Sequence, residues 1–225
     1  ADPASSTMPV VHGRVCIDEG GTDATVRGIA VRNTNPRDAW GSAVDVSGAR
    51  NVVIEGCELS SSANDETVLN LHGGCIVTVR KNVVHASEAH GVTGISIDGA
   101  ANVTVIENTI SDNDVGVRLE PSATATIRSN LITKNQKGLQ LNDSGLEAIV
   151  ERGGFGSIML RNNTFVDNKD GHDDASFQQR LEVLLHPLLR RLSVASSEIS
   201  VQEEEGEHSP FLPLGSSLMH FQGPR

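Results

Sequence analysis

The chain has 225 residues, enough for one domain with a sizeable core. Aromatic residues make up only 3%, Tyr is absent, and the formal net charge is −11. That charge argues against nucleic acid and anionic membranes as partners. It also suits a polyanionic substrate poorly unless a local basic patch or Ca²⁺ intervenes, and no apolar run reaches the about 18 residues of a membrane-spanning helix.

Residues 1–9 begin Ala1-Asp2-Pro3, with neither a start Met nor a signal-peptide pattern. They read as a vector-derived remnant and linker, and the chain as a fragment of a longer protein. From residue 10 a repeat takes over. An apolar-polar-apolar triplet recurs as Val15-Cys16-Ile17, Val44-Asp45-Val46, Leu69-Asn70-Leu71, Ile95-Ser96-Ile97, Val117-Arg118-Leu119 and Leu139-Gln140-Leu141. This period of two predicts strands with one buried face. Gly94, Gly116 and Gly138 precede three of them. Glycine is expected there because a tight corner needs backbone conformations that other residues resist.

A second phrase runs in phase with the triplets. It reads Val-Thr-Val-Arg-Lys-Asn-Val-Val at 77–84, Val-Thr-Val-Ile-Glu-Asn-Thr-Ile at 103–110, Ala-Thr-Ile-Arg-Ser-Asn-Leu-Ile at 125–132 and Ile-Met-Leu-Arg-Asn-Asn-Thr-Phe at 158–165. A degenerate copy, Val-Val-Ile-Glu-Gly-Cys-Glu-Leu, stands at 52–59. Cys57, Asn82, Asn108, Asn130 and Asn163 share one slot, at steps of 25, 26, 22 and 33 residues. The long step holds a glycine-rich insertion between Ser144 and Gly156. A period of about 20–50 residues signals a solenoid.

Each repeat thus supplies three short strands, none able to bury a face alone. Stacked in parallel at about 4.8 Å, they give three inward columns. These are Val46/Leu71/Ile97/Leu119/Leu141, Ile54/Val79/Val105/Ile127/Leu160 and Leu59/Val84/Ile110/Ile132/Phe165. The Asn column predicts stacked amides, each donating and accepting along the pile.

Residues 10–174 therefore read as an all-β, single-stranded parallel β-helix of about six coils. The repeat resembles the right-handed parallel β-helix of the pectin-lyase-like superfamily, over roughly residues 10–170. That resemblance implies the right-handed fold. It leaves function open, because the superfamily hosts lyases, hydrolases, epimerases, adhesins and non-catalytic modules.

Beyond Asp174 the repeat stops. Phe177, Leu181, Leu184, Leu185 and Leu188 recur at helical spacing, so residues 175–192 are expected to form a helical cap on the last coil. Residues 193–225 read as an acidic, poorly ordered tail containing Glu203-Glu204-Glu205. Arg190-Arg191-Leu192-Ser193 resembles a basophilic kinase motif. Three cysteines, Cys16, Cys57 and Cys75, fall in unrelated columns without metal-ligand spacing, and read as isolated thiols. Unpaired thiols favour an intracellular location over a secreted one, although the sequons at Asn102, Asn142 and Asn162 leave the compartment undetermined.

In β-helix enzymes the substrate commonly lies along one sheet, read by outward side chains of successive coils. Here the outward column of the first strands is Asp45, Asn70, Ser96, Arg118 and Gln140, of which Asp45, Asn70, Ser96 and Gln140 are the candidate binding residues. Two positions on stand Ser47, His72, Asp98, Glu120 and Asn142. Asp98 and Glu120 would be neighbours at the coil spacing, a pair suited to sharing a proton, to holding Ca²⁺ or to glycoside chemistry. His72 and Arg118 would flank them as base and anion clamp. No other cofactor is implied. Polar outward positions are also what any solvated solenoid needs.

The family's catalytic elements are not assembled. Gly171-His172-Asp173-Asp174 fuses in one loop the elements that polygalacturonases carry on separate coils, and their Arg-x-Lys element is missing. The Arg-x-Pro-x-x-Arg element of pectate lyases is missing too. Thr78, Thr104 and Thr126 make one outward column, too narrow for an ice-binding array. Two readings follow: a non-catalytic module of a larger adaptor-type protein, with a protein partner, or a lyase, epimerase or hydrolase acting on a polysaccharide.

Overall fold

The structure, a computed structural model, describes residues 8–34, 41–87, 90–120, 122–141 and 158–169. All belong to the first of two compact units, Ala1–Phe177; the second is Gln178–Arg225. The expected cap over 175–192 and the tail over 193–225 lie outside the described residues.

Strand β1 (Val10–His12) leads into a first coil of β2 (Val15–Ile17), β3 (Thr25–Arg27) and β4 (Ala30–Asn33). The second coil is β5 (Val44–Ser47), β6 (Val52–Glu55) and β7 (Glu58–Ser61). The third is β8 (Thr67–His72), β9 (Ile76–Arg80) and β10 (Val83–Ala86). The fourth is β11 (Thr93–Ile97), β12 (Asn102–Ile106) and β13 (Thr109–Ser111). The fifth is β14 (Val115–Leu119), β15 (Thr124–Arg128) and β16 (Leu131–Thr133). A sixth comprises β17 (Lys137–Leu141), β18 (Ile158–Arg161) and β19 (Thr164–Val166), with the insertion between β17 and β18. Among the described residues the only helical turn is Glu19–Gly21.

Like strands of successive coils stack in parallel. The first sheet is β2-β5-β8-β11-β14-β17, the second β3-β6-β9-β12-β15-β18, and the third β1-β4-β7-β10-β13-β16-β19. All three expected inward columns form in register. Their central members, such as Leu71, Val105 and Ile110, are fully buried. Transfer of such apolar surface from water is the dominant favourable term in folding.

The corner between second and third sheets is an asparagine ladder. Asn130 Oδ1 accepts from both the backbone N–H and the side-chain amide of Asn108, at 2.9 and 3.0 Å. Asn108 Oδ1 serves Asn82 likewise, and Asn163 Oδ1 serves Asn130. Cys57 sits in the same slot and donates its backbone N–H to Asn82 Oδ1 at 2.9 Å. A left-handed residue precedes each Asn: Lys81, Glu107, Ser129 and Asn162. That conformation turns the chain so that the amide points inward at the corner.

A second ladder, not read from the sequence, stands five residues on. Asn113, Asn135 and Asn168 repeat the same bonds, after left-handed Asp112, Lys134 and Asp167. This ladder corrects the expectation for Gly94, Gly116 and Gly138. None of the three has the left-handed φ of a corner; they lie within β11, β14 and β17. A Cβ on Gly116 would stand 2.5 Å from the Gly138 carbonyl oxygen and 3.1 Å from the Asn135 amide nitrogen. Glycine is therefore required for close approach, not for conformational freedom.

Candidate functional site

Strand alternation sends Val44, Val46, Leu69 and Leu71 into the core and leaves the residues between them outside. The register then aligns Cys16, Asp45, Asn70, Ser96, Arg118 and Gln140 in one outward column. Ser47 pairs with His72 at the strand ends. Asp98 and Glu120 continue that line, their backbone N–H groups donating to Leu71 and Ile97 of the preceding coils.

The side chains are tied along the stack. Asn70 Nδ2 donates to Asp45 Oδ1 at 2.9 Å. His72 Nε2 lies 3.4 Å from Asp45 Oδ1 and 3.5 Å from Oδ2. Asp45 thus binds two side chains of the next coil. Ser96 departs from the expected exposure at 6%; a short hydroxyl between the longer Asn70 and Arg118 has little surface to offer. Gln140 lies on the sixth coil, four coils beyond Asp45, so the candidate binding column does not converge on one point.

The electrostatics single out Asp98. Burial raises its pKa above the ordinary 3.8 by penalising the carboxylate; His72 opposes this, while the nearby Glu120 and Asp45 charges add to it. Beside it, burial pushes the buried Cys75 thiol up to about 11, and Asp98 and Asp45 act in the same direction. Cys75 falls in the corner column otherwise held by Ala49, Ala101 and Ala123, where a small buried side chain is needed. Among the described residues no group of three or more His, Cys, Asp or Glu is placed to hold a metal ion. Gly171-His172-Asp173-Asp174 lies outside the described residues.

Two charged features escaped the sequence reading. On the second sheet, Arg27, Glu55, Arg80, Ile106, Arg128 and Arg161 form one outward column. The fourth residue of each repeated phrase was its signal. On the third sheet, Glu58 faces Arg32 at 3.3 Å and His85 at 3.7 Å.

The family model described as the right handed beta helix region matches residues 15–181 of the chain, well over half of its 225 residues. No curated protein and no solved structure matches.

Proposed function

The chain belongs to the right-handed β-helix family, and from that premise we propose that it is a non-catalytic protein-interaction module of an adaptor-type protein. Its recognition face is the outer side of the first sheet. The observation that carries this reading is the linear arrangement of that face. Asp45, Asn70, Ser96, Arg118 and Gln140 are strung along successive coils at about 4.8 Å. A reacting centre needs acid, base and substrate atoms within hydrogen-bond reach of one point, whereas an extended peptide needs polar groups spaced along a line. The mutual bonds of Asp45, Asn70 and His72 hold the face ready, which lowers the ordering cost of binding. No outward member of the column is aromatic, so the stacking platforms expected of a sugar groove are missing from it. The test is affinity capture with the full chain, beside an Asn70→Ala/Arg118→Ala/Gln140→Ala variant of equal stability. Proteins retained by the first and lost by the second support the reading; identical profiles overturn it.

One observation favours a second reading. A carboxyl with a raised pKa, as at Asp98, is the property of a general acid. Asp98 would then donate a proton, Glu120 serve as the partner carboxylate, and His72 and Arg118 flank a polysaccharide. A screen of polysaccharides for lyase, epimerase or hydrolase turnover tests it. Activity abolished by Asp98→Asn with the fold intact would favour this reading.

A further inference from the structure

The second sheet carries an unbalanced charge column on an otherwise acidic chain. Its outward line holds four guanidiniums, Arg27, Arg80, Arg128 and Arg161, and one carboxylate, Glu55. Glu55 sits between Arg27 and Arg80 and bonds both, so in that half a carboxylate separates the two cations. In the other half Arg128 and Arg161 face each other on adjacent strands. Both are exposed, and neither bonds a carboxylate among the described residues. Like charges directly opposite on neighbouring strands are destabilising. The neighbouring outward column places Thr126 opposite Met159, and Met159 is 42% exposed.

We infer that this patch is a docking site for a phosphorylated peptide, with the phosphate seated between Arg128 and Arg161. Arg128 and Arg161 stand on adjacent strands whose backbones run about 4.8 Å apart, a spacing from which both side chains reach a single tetrahedral group with their N–H forks. A phosphate monoester carries close to two negative charges at neutral pH and offsets both cations; a single carboxylate offsets one. The Met159 thioether is a flexible apolar contact for a residue beside the phosphorylated one, and the Thr126 hydroxyl offers a hydrogen bond to its main chain. The patch holds no aromatic side chain on which a nucleic-acid base could stack. It lies on a different sheet from the Asp45–Gln140 column, so the two surfaces test separately.

The experiment presents the full chain to a degenerate phosphoserine peptide library. Matched libraries with serine and with glutamate at the fixed position, and a single-stranded RNA oligonucleotide, run alongside. The expected result is retention of the phosphoserine library at least tenfold above the serine and glutamate libraries. Arg128→Gln/Arg161→Gln should remove that preference, Arg27→Gln should keep it, and thermal melts should show both variants folded. Equal retention of phosphoserine and glutamate libraries would overturn the inference, as would RNA held more tightly than phosphopeptide. Phosphopeptide retention unchanged in Arg128→Gln/Arg161→Gln would overturn it as well.

Discussion

Arg80 donates to the Glu55 carboxylate at 3.0 Å across the boundary between the second and third coils. His72 meets Asp45 at 3.4 Å, and His85 meets Glu58 at 3.7 Å, across the same boundary on the other two sheets. One carboxylate per face from the second coil therefore meets one basic group per face from the third. The apolar columns and the asparagine ladder already align neighbouring coils. Three polar contacts around one boundary, the Arg80–Glu55 ion pair among them, add to that alignment.

Opposite pH signatures are expected at Glu55 and Asp98. The hydrogen bond from Arg80 is the largest influence holding the Glu55 carboxyl below its ordinary 4.5, with burial opposing and Arg27 assisting. A lowered folded pKa gives stability that is present above the unfolded value and lost as pH falls through the folded one. Glu55→Gln should therefore melt below the parent at pH 7 and converge with it in acid. The raised Asp98 pKa works the other way: its contribution is full below the ordinary 3.8 and lost as pH rises through the folded value. Asp98→Asn should melt above the parent at pH 7, with the gap closing below about pH 4. Melting curves across pH 3–8 check both.

Asn108→Ala should cost about 1–3 kcal/mol, because it leaves the Val79 carbonyl and the Asn82 N–H without their buried partners. Asn113→Ala should cost less. Asn113 Oδ1 already has no donor, since Ser87 rather than Asn stands five residues beyond Asn82. Urea titrations of the two variants give the comparison, and equal midpoints would refute the ladder's energetic role.

Gly116→Ala should destabilise by about 1–3 kcal/mol through overpacking. The added methyl would meet the Gly138 carbonyl oxygen, which belongs to the next coil's backbone and has little room to retreat. A control at Gly56, where a Cβ meets nothing within 4 Å but φ is +61°, should lose stability through backbone strain instead. For Gly56→Asn the loss should be small, because Asn tolerates the left-handed region.

Iodoacetamide at pH 7.5 should label the native chain once, at exposed Cys16. Cys57 and Cys75 are buried, and the Cys75 thiol, pushed up to about 11, supplies almost no thiolate. All three should react in denaturant. Mass spectrometry of the native protein showing Cys75 labelled first would contradict its placement.

The three inward columns, the first Asn ladder and the register of Asp45, Asn70, Ser96, Arg118 and Gln140 were legible in the sequence. Apolar period and spacing alone fix which residues of successive coils meet. The second ladder was equally present, as Asn108/Asn113, Asn130/Asn135 and Asn163/Asn168, but its rungs stand in turns beyond the end of the repeated phrase, where no apolar pattern points to them. The role of Gly116 went unread because composition cannot distinguish a glycine needed for φ from one needed for space. Nor could spacing reveal that Asp45 gathers Asn70 and His72: register brings side chains near, but rotamers decide which ones bond.

The central claim is that the outer face of the first sheet recognises a protein rather than turning over a sugar. The most direct measurement is the side-chain amide and guanidinium nitrogen spectrum of the full chain, titrated with a captured protein partner. Shifts at the Asn70 and Gln140 amides and at Arg118 Nε–H are expected, with the buried Asn82, Asn108 and Asn130 amides unmoved. A partner that leaves Asn70, Arg118 and Gln140 unperturbed would contradict the claim.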